Sequence, residues 1–203
     1  MLVKLYRGDL PATLDLGREV AIDTETMGLS PHRDKLCLVQ LSSGDGDAHL
    51  VHVDRETFEA PRLKALLTDP GILKIFHFAR FDVAALKVWL GVDVAPIYCT
   101  KIASKLARTY TDRHGLKDLV REMLGIEMSK QQQSSDWAAD KLSDQQKHYA
   151  ASDVLYLHAL KAKLDTMLQR EGRMAAAEAC FRFLPVRVGL DLAGFEDDDV
   201  FAH

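Results

Sequence analysis

Cysteine is scarce in this sequence. Cys37, Cys99 and Cys180 are its only three, and they lie far apart, without zinc-ligand spacing or the density of a disulfide framework. That excludes a disulfide-stapled scaffold and predicts a reducing, cytoplasmic setting. Positive charge is also short: 26 Lys and Arg stand against 30 Asp and Glu, for a net charge of −4. No global basic field draws in a polyanion, so any polyanion site must be a local basic patch or a metal centre. No apolar run is long enough to cross a bilayer, and the opening MLVKLYRGDLP lacks a signal-peptide hydrophobic region. Neither a membrane span nor an export leader is expected. There are no internal repeats and no convincing Ser/His/Asp or Cys/His arrangement for a covalent nucleophile.

What is present suits one globular domain, 203 residues with 47% apolar side chains. Short strands are expected at Leu2–Tyr6, Glu19–Thr24, Leu36–Ser43 and Ala48–Val53. Gly44-Asp45-Gly46-Asp47 is turn chemistry, so the last two should pair as an antiparallel hairpin. Pro61 opens a short helix, Leu73–Phe76 is a strand, and Phe78–Leu90 is a helix stopped by Gly91. Ile97–Cys99 runs as a strand into a helix over Thr100–Ala107. Leu116–Leu124 has helical spacing and stops at Gly125, and Ser129–Asp136 reads as a polar loop. Ser143 and Gln146 form a capping box for a helix running to about Arg170. A last helix spans Arg173–Phe183, before Pro185. Strands first, then strands alternating with helices, give an α/β fold with a mixed sheet flanked by helices.

The stretch AIDTETMGL carries the first chemical signal. An apolar run leads into Asp23 and Glu25, which on a strand point to one face. Two adjacent carboxylates repel unless a cation lies between them, and oxygen-only ligands suit Mg²⁺ or Mn²⁺. A strand end followed by an acidic loop fits the same residues. Asp82, in HFARFD, begins a helix, where a carboxylate also serves as a simple cap. Asp153 lies among Val154, Leu155 and Leu157, where an unpaired charge is costly. Tyr149, one turn earlier on the same face, can orient a water or take its proton, or pack in the core.

The order IDTET, HFARFD, SSDW and LSDQQKHYAASDVLYL resembles the RNase D-like DEDD 3′–5′ exonucleases, from about Val20 to Leu164. The Tyr149–Asp153 spacing matches the tyrosine subgroup. His148 also fits the histidine subgroup's spacing, but a five-residue offset lies about 140° round a helix. His148 is therefore expected to be exposed or to meet a phosphate. The resemblance implies a ribonuclease H-like fold and two divalent ions, Mg²⁺ or Mn²⁺. One would be held by Asp23, Glu25 and Asp153, the other by Asp23 and, directly or through water, Asp82. Ions roughly 3.5–4 Å apart clamp the attacking and leaving oxygens of a phosphodiester, releasing nucleoside 5′-monophosphates from a 3′ end.

The chain is shorter than full-length RNase D proteins and looks more like the short stand-alone nanoRNase C proteins. That likeness implies short single-stranded RNA, down to dinucleotides, as substrate, and a homo-octamer. Longer structured RNA and DNA are the alternative substrates. Residues 1–203 are read as one exonuclease domain, with 173–203 a C-terminal helix and tail. The apolar, irregular stretch ACFRFLPVRVGLDLAGF suits either subunit contacts or packing on its own core. Substrate contacts are expected from Thr24, Met27, Gly28, Leu29, His77, Phe78, Arg80, Arg113 and His114. Leu29 resembles the apolar wedge that related exonucleases place between bases. Arg108, Arg113, His114 and Lys117 cluster round a helix start, a natural phosphate site, and Lys130 and Gln133 are further candidates.

Overall fold

The computed structural model describes residues 2–129 and 135–202. Lys130 and Gln133 lie outside the described residues. Among the described residues, six strands form one mixed sheet: β1 (Val3–Arg7), β2 (Glu19–Thr26), β3 (Leu36–Ser42), β4 (Ala48–His52), β5 (Leu73–Phe76) and β6 (Ile97–Cys99), in the order β1-β4-β3-β2-β5-β6. The expected hairpin is β3–β4, antiparallel across the Gly44–Asp47 turn. β2 pairs antiparallel with β3 but parallel with β5, so it divides the hairpin half of the sheet from the parallel half. β3 and β4 are buried along their whole length. Central strands covered on both faces are continuous apolar runs, as LCLVQL is.

Helices cover both sides: α1 (Pro61–Thr68), α2 (Ala79–Leu90), α3 (Thr100–Ala107), α4 (Leu116–Leu119), α5 (Asp144–Leu155), α6 (Leu157–Arg170) and α7 (Met174–Leu190). This is the ribonuclease H-like fold, a mixed sheet between helical layers. Gly91 closes α2 at φ +68, where glycine carries no Cβ penalty. The Ser143–Gln146 capping box is fully formed at the start of α5.

Three helix expectations need correction. The helix from Ser143 does not run unbroken to Arg170: it breaks at Tyr156 (φ −102, ψ −6). The break lets α5 lie on β2, β3 and β4 while α6 turns to pack on α3. The Leu116–Leu124 helix widens into a π-helical turn over Val120–Leu124 before Gly125 stops it. The last helix does not stop before Pro185: α7 continues to Leu190, followed by a second wide turn over Asp191–Phe195. A proline inside a helix costs about 3 kcal/mol. Leu184 and Val188, on either side of it, are buried, and burying two such side chains offsets that cost at roughly 1.5–3 kcal/mol each. The C-terminal apolar stretch is therefore mostly a regular helix. Ala177, Phe181, Leu184 and Val188 pack inward, while Val186, Phe195, Val200 and Phe201 remain exposed. Among the described residues no helix is long and apolar enough to cross a membrane.

Candidate active site

β2 places the first two carboxylates. Asp23 lies opposite Gln40 of β3, and Glu25 lies opposite Leu38. Alternation along the strand sets both acids on the face covered by α5. On α5 the one-turn spacing sets Tyr149 and Asp153 on the face turned to β2. Asp23, Glu25 and Asp153 each offer a carboxylate oxygen, and all of these lie within 4.8 Å of one another. They open, with Tyr149, into a cavity of about 890 Å³. Trp137, only 3% exposed, forms another part of its wall and packs 6.2 Å from the Tyr149 ring.

Asp82 enters from α2. It is buried, and its Oδ1 accepts from both the Thr24 amide (3.1 Å) and the Thr24 hydroxyl (2.7 Å). The Thr24 side chain is thus occupied in holding Asp82, although Thr24 borders the cavity. Gln40, fully buried, donates its amide to Asp23 Oδ2 at 3.2 Å. Sequence reasoning missed Gln40. Its signal was a lone amide within an apolar strand, and only the strand register brings it to Asp23.

The electrostatics follow from crowding. Burial, then the charges of Asp82, Asp153 and Glu25, push Asp23 well above the usual carboxylate range. Burial, then Asp153 and Asp82, push Glu25 up to about 9. Burial raises Asp82 to about 7 even though the Thr24 hydrogen bonds pull the other way. Asp153 also rises to about 7 through burial, opposed by nearby Lys117. Tyr149 is pushed up by burial and then by Asp153, Glu25 and Asp23. Oxygen-only donors this close, each resisting ionisation, form a set that a hard divalent cation fits.

The expected substrate contacts divide into two groups. Met27, Gly28 and Leu29 border the cavity, and Leu29, at 85% exposed, is not packed in the core. A Cβ on Gly28 would meet the Asp34 carboxylate at 2.4 Å, so a side chain there would push Asp34 from its hydrogen bond with the Ser30 amide. His77 borders the cavity from the end of β5. Phe78, Arg80, Arg113 and His114 lie outside the cavity wall. Phe78 begins α2 in the left-handed region (φ +63), with Lys101 Nζ 4.0 Å above its ring. Arg80 is gripped by Asp191 at 2.5 and 2.7 Å. Arg113 lies 3.7 Å from Glu122, and His114 Nδ1 lies 2.8 Å from Ser104 Oγ. The expected basic cluster does not form as a unit. Arg108 is 1% exposed and paired with Glu122, while Lys117 faces the cavity 5.6 Å from the Tyr149 ring centre. His148 is exposed, as the helical offset required.

The chain is 34% identical over 155 residues to Ribonuclease D of Acidiphilium cryptum, covering 76% of this chain and 39% of that one. It thus spans about two fifths of the length of such curated relatives. Over 100% of both chains it matches the structure of Brucella melitensis NrnC with bound Mg²⁺, at 54% identity and TM-score 0.95. It matches Brucella melitensis NrnC bound to pGG at 55% identity and TM-score 0.96, covering 100% of this chain and 99% of that one. The profile described as 3′-5′ exonuclease matches residues 9–169, and with that match the chain belongs to the 3′–5′ exonuclease family.

Proposed function

We propose that this chain is a metal-dependent 3′–5′ exoribonuclease that hydrolyses short RNA, down to dinucleotides, to nucleoside 5′-monophosphates. One observation carries the reading: Asp23, Glu25 and Asp153 converge within 4.8 Å in a cavity that Tyr149 also lines. Asp23, Glu25 and Asp153 would hold Mg²⁺ or Mn²⁺, with Asp82 behind Asp23 contributing to a second ion directly or through water. When bound, the ions supply Lewis-acid activation of a water and neutralise charge on the phosphodiester. Tyr149 orients that water or receives its proton. Gln40 and Thr24 hold Asp23 and Asp82 in place, so the carboxylates keep their positions as the substrate changes charge. Leu29 and Met27, exposed at the cavity lip, give the terminal base an apolar surface.

The preference for short RNA is supported by the full-length match to a protein whose structure holds pGG. RNase D-like trimming of longer structured RNA is the second reading, favoured by the 34% identity to Ribonuclease D over 155 residues. DNA is the remaining alternative substrate. Labelled RNAs of two and of twenty nucleotides, incubated with Mg²⁺ or EDTA, separate these. Faster turnover of the dinucleotide supports the first reading, and equal or faster turnover of the long RNA supports the second. No metal-dependent cleavage of either defeats both.

A cytoplasmic location accords with three unpaired cysteines. A homo-oligomer, an octamer by family likeness, accords with the exposed Val186, Phe195, Val200 and Phe201 of the C-terminal segment. A monomer in light scattering would refute it.

A further inference from the structure

Gln40 is an amide at a position that the fold alone would give to an apolar residue. It lies within β3, between Asp23 on β2 and Leu50 on β4, and is fully buried. Its amide nitrogen donates to Asp23 Oδ2 at 3.2 Å. An ionised carboxylate only accepts, so the nitrogen faces Asp23 and the carbonyl turns away. That carbonyl oxygen, Oε1, is buried and has no hydrogen-bond partner among the described residues. Leu38, two residues along the same face of β3, and Leu50 belong to an apolar cluster with Trp137, Leu142 and Ala150. A buried acceptor left unpaired in such surroundings is destabilising. An apolar side chain of similar length would join the cluster without that cost. Stability therefore does not explain a glutamine here.

The carboxylate cluster does explain it. The strand fixes the Asp23 main chain, but the terminal torsion of an aspartate is soft. Burial and the charges of Asp82, Asp153 and Glu25 all oppose a charged Asp23, and rotation of its carboxylate away from them would relieve the crowding. The Gln40 donor on Oδ2 resists that rotation. Glu25 and Asp153 have no comparable donor among the described residues, and their surroundings act on them through burial and charge alone. We infer that Gln40 is a positioning residue: it holds the Asp23 carboxylate in the orientation that divalent ions require, and so sets the ion affinity of the site against the stability of the fold. This rests on the metal-dependent reading above, and the test separates the two.

Mn²⁺ binding to the metal-free protein is measured by electron paramagnetic resonance and calorimetry for the wild type, Gln40→Met and Gln40→Leu. Each protein is also melted in EDTA. Mn²⁺ affinity should fall about ten- to hundredfold in the variants, the range for losing a group that orients a metal ligand. Half-maximal hydrolysis of a dinucleotide should need correspondingly more Mn²⁺. The midpoint in EDTA should equal or exceed that of the wild type, because the unpaired carbonyl is gone. Two side-chain shapes guard against a misfit of either one, and affinity is read on whichever keeps the wild-type midpoint. Affinity within about twofold of the wild type overturns the inference. So does a lower midpoint in EDTA for both variants, which makes Gln40 a support of the fold. A wild type that binds no Mn²⁺ defeats the metal-dependent reading itself, and the inference with it.

Discussion

Glu25→Gln should make the metal-free protein more stable. A glutamate ordinarily ionises near 4.5, whereas Glu25 does so at about 9 because it is buried beside Asp153 and Asp82. Between those values the folded chain holds a proton that the unfolded chain has released. Its folded-state pKa is the higher one, so its contribution is fully present below about pH 4.5 and is lost as pH rises toward 9. Each pH unit across that window costs about 1.4 kcal/mol, or about 3 kcal/mol by pH 7. Glutamine keeps the shape and needs no proton. Part of the gain goes to readjustment of the neighbouring carboxyls, leaving about 1–3 kcal/mol. For a chain of this length 1 kcal/mol shifts Tm by about 2–4 °C, so a mid-range gain raises it by about 4–8 °C. The assay is thermal melting in EDTA and in Mg²⁺ from pH 5 to pH 9. In EDTA the wild-type Tm should fall as pH rises, and Glu25→Gln should melt higher at pH 7–8. Mg²⁺ should raise the wild type most at high pH, where protons no longer compete for the oxygens, and should raise Glu25→Gln less. A lower Tm for Glu25→Gln in EDTA, or a flat wild-type profile, would refute the crowding argument.

Three further outcomes are expected. Tyr149→Phe keeps the ring and its packing on Trp137 but loses the hydroxyl, so kcat should fall about 10²-fold or more with little change in KM; wild-type turnover would make Tyr149 structural. Arg108→Met removes the buried partner of Glu122 but leaves Arg113 and Arg121 at 3.7 and 3.6 Å from it, so it should cost about 1–3 kcal/mol in chemical denaturation. An unchanged midpoint with weakened RNA binding would instead restore Arg108 as a phosphate contact. Leu29→Ala alters a side chain that is 85% exposed, so stability should move by less than about 0.5 kcal/mol while KM for a dinucleotide rises. An unaltered KM would remove Leu29 from the substrate's path.

The features legible in the sequence are those set by short-range chemistry. The Asp23–Glu25 alternation, the Tyr149–Asp153 turn spacing, the Ser143–Gln146 box and the Gly44–Asp47 hairpin each depend on residues within a few positions. Illegible features depend on pairs distant in the chain. Nothing local shows that the Thr24 hydroxyl meets Asp82, 58 residues on. Nothing near Arg80 in sequence announces Asp191, 111 residues away, which accepts from its guanidinium. Arg108 read as part of a basic surface because its partner Glu122 lies beyond a turn. Pro185 marked a helix end by local rules, and packing on both sides of it prevailed.

The Arg80 clamp ties the helix that supplies Asp82 to a residue beyond the exonuclease profile, which ends at residue 169. Arg187, one turn earlier in the same C-terminal segment, lies 2.9 Å from that aspartate and holds it in position for Arg80. Cutting the polypeptide at the profile boundary would therefore untie one wall of the carboxylate cluster. Anyone trimming, tagging or fusing the protein should treat position 191 as belonging to the working part of the molecule.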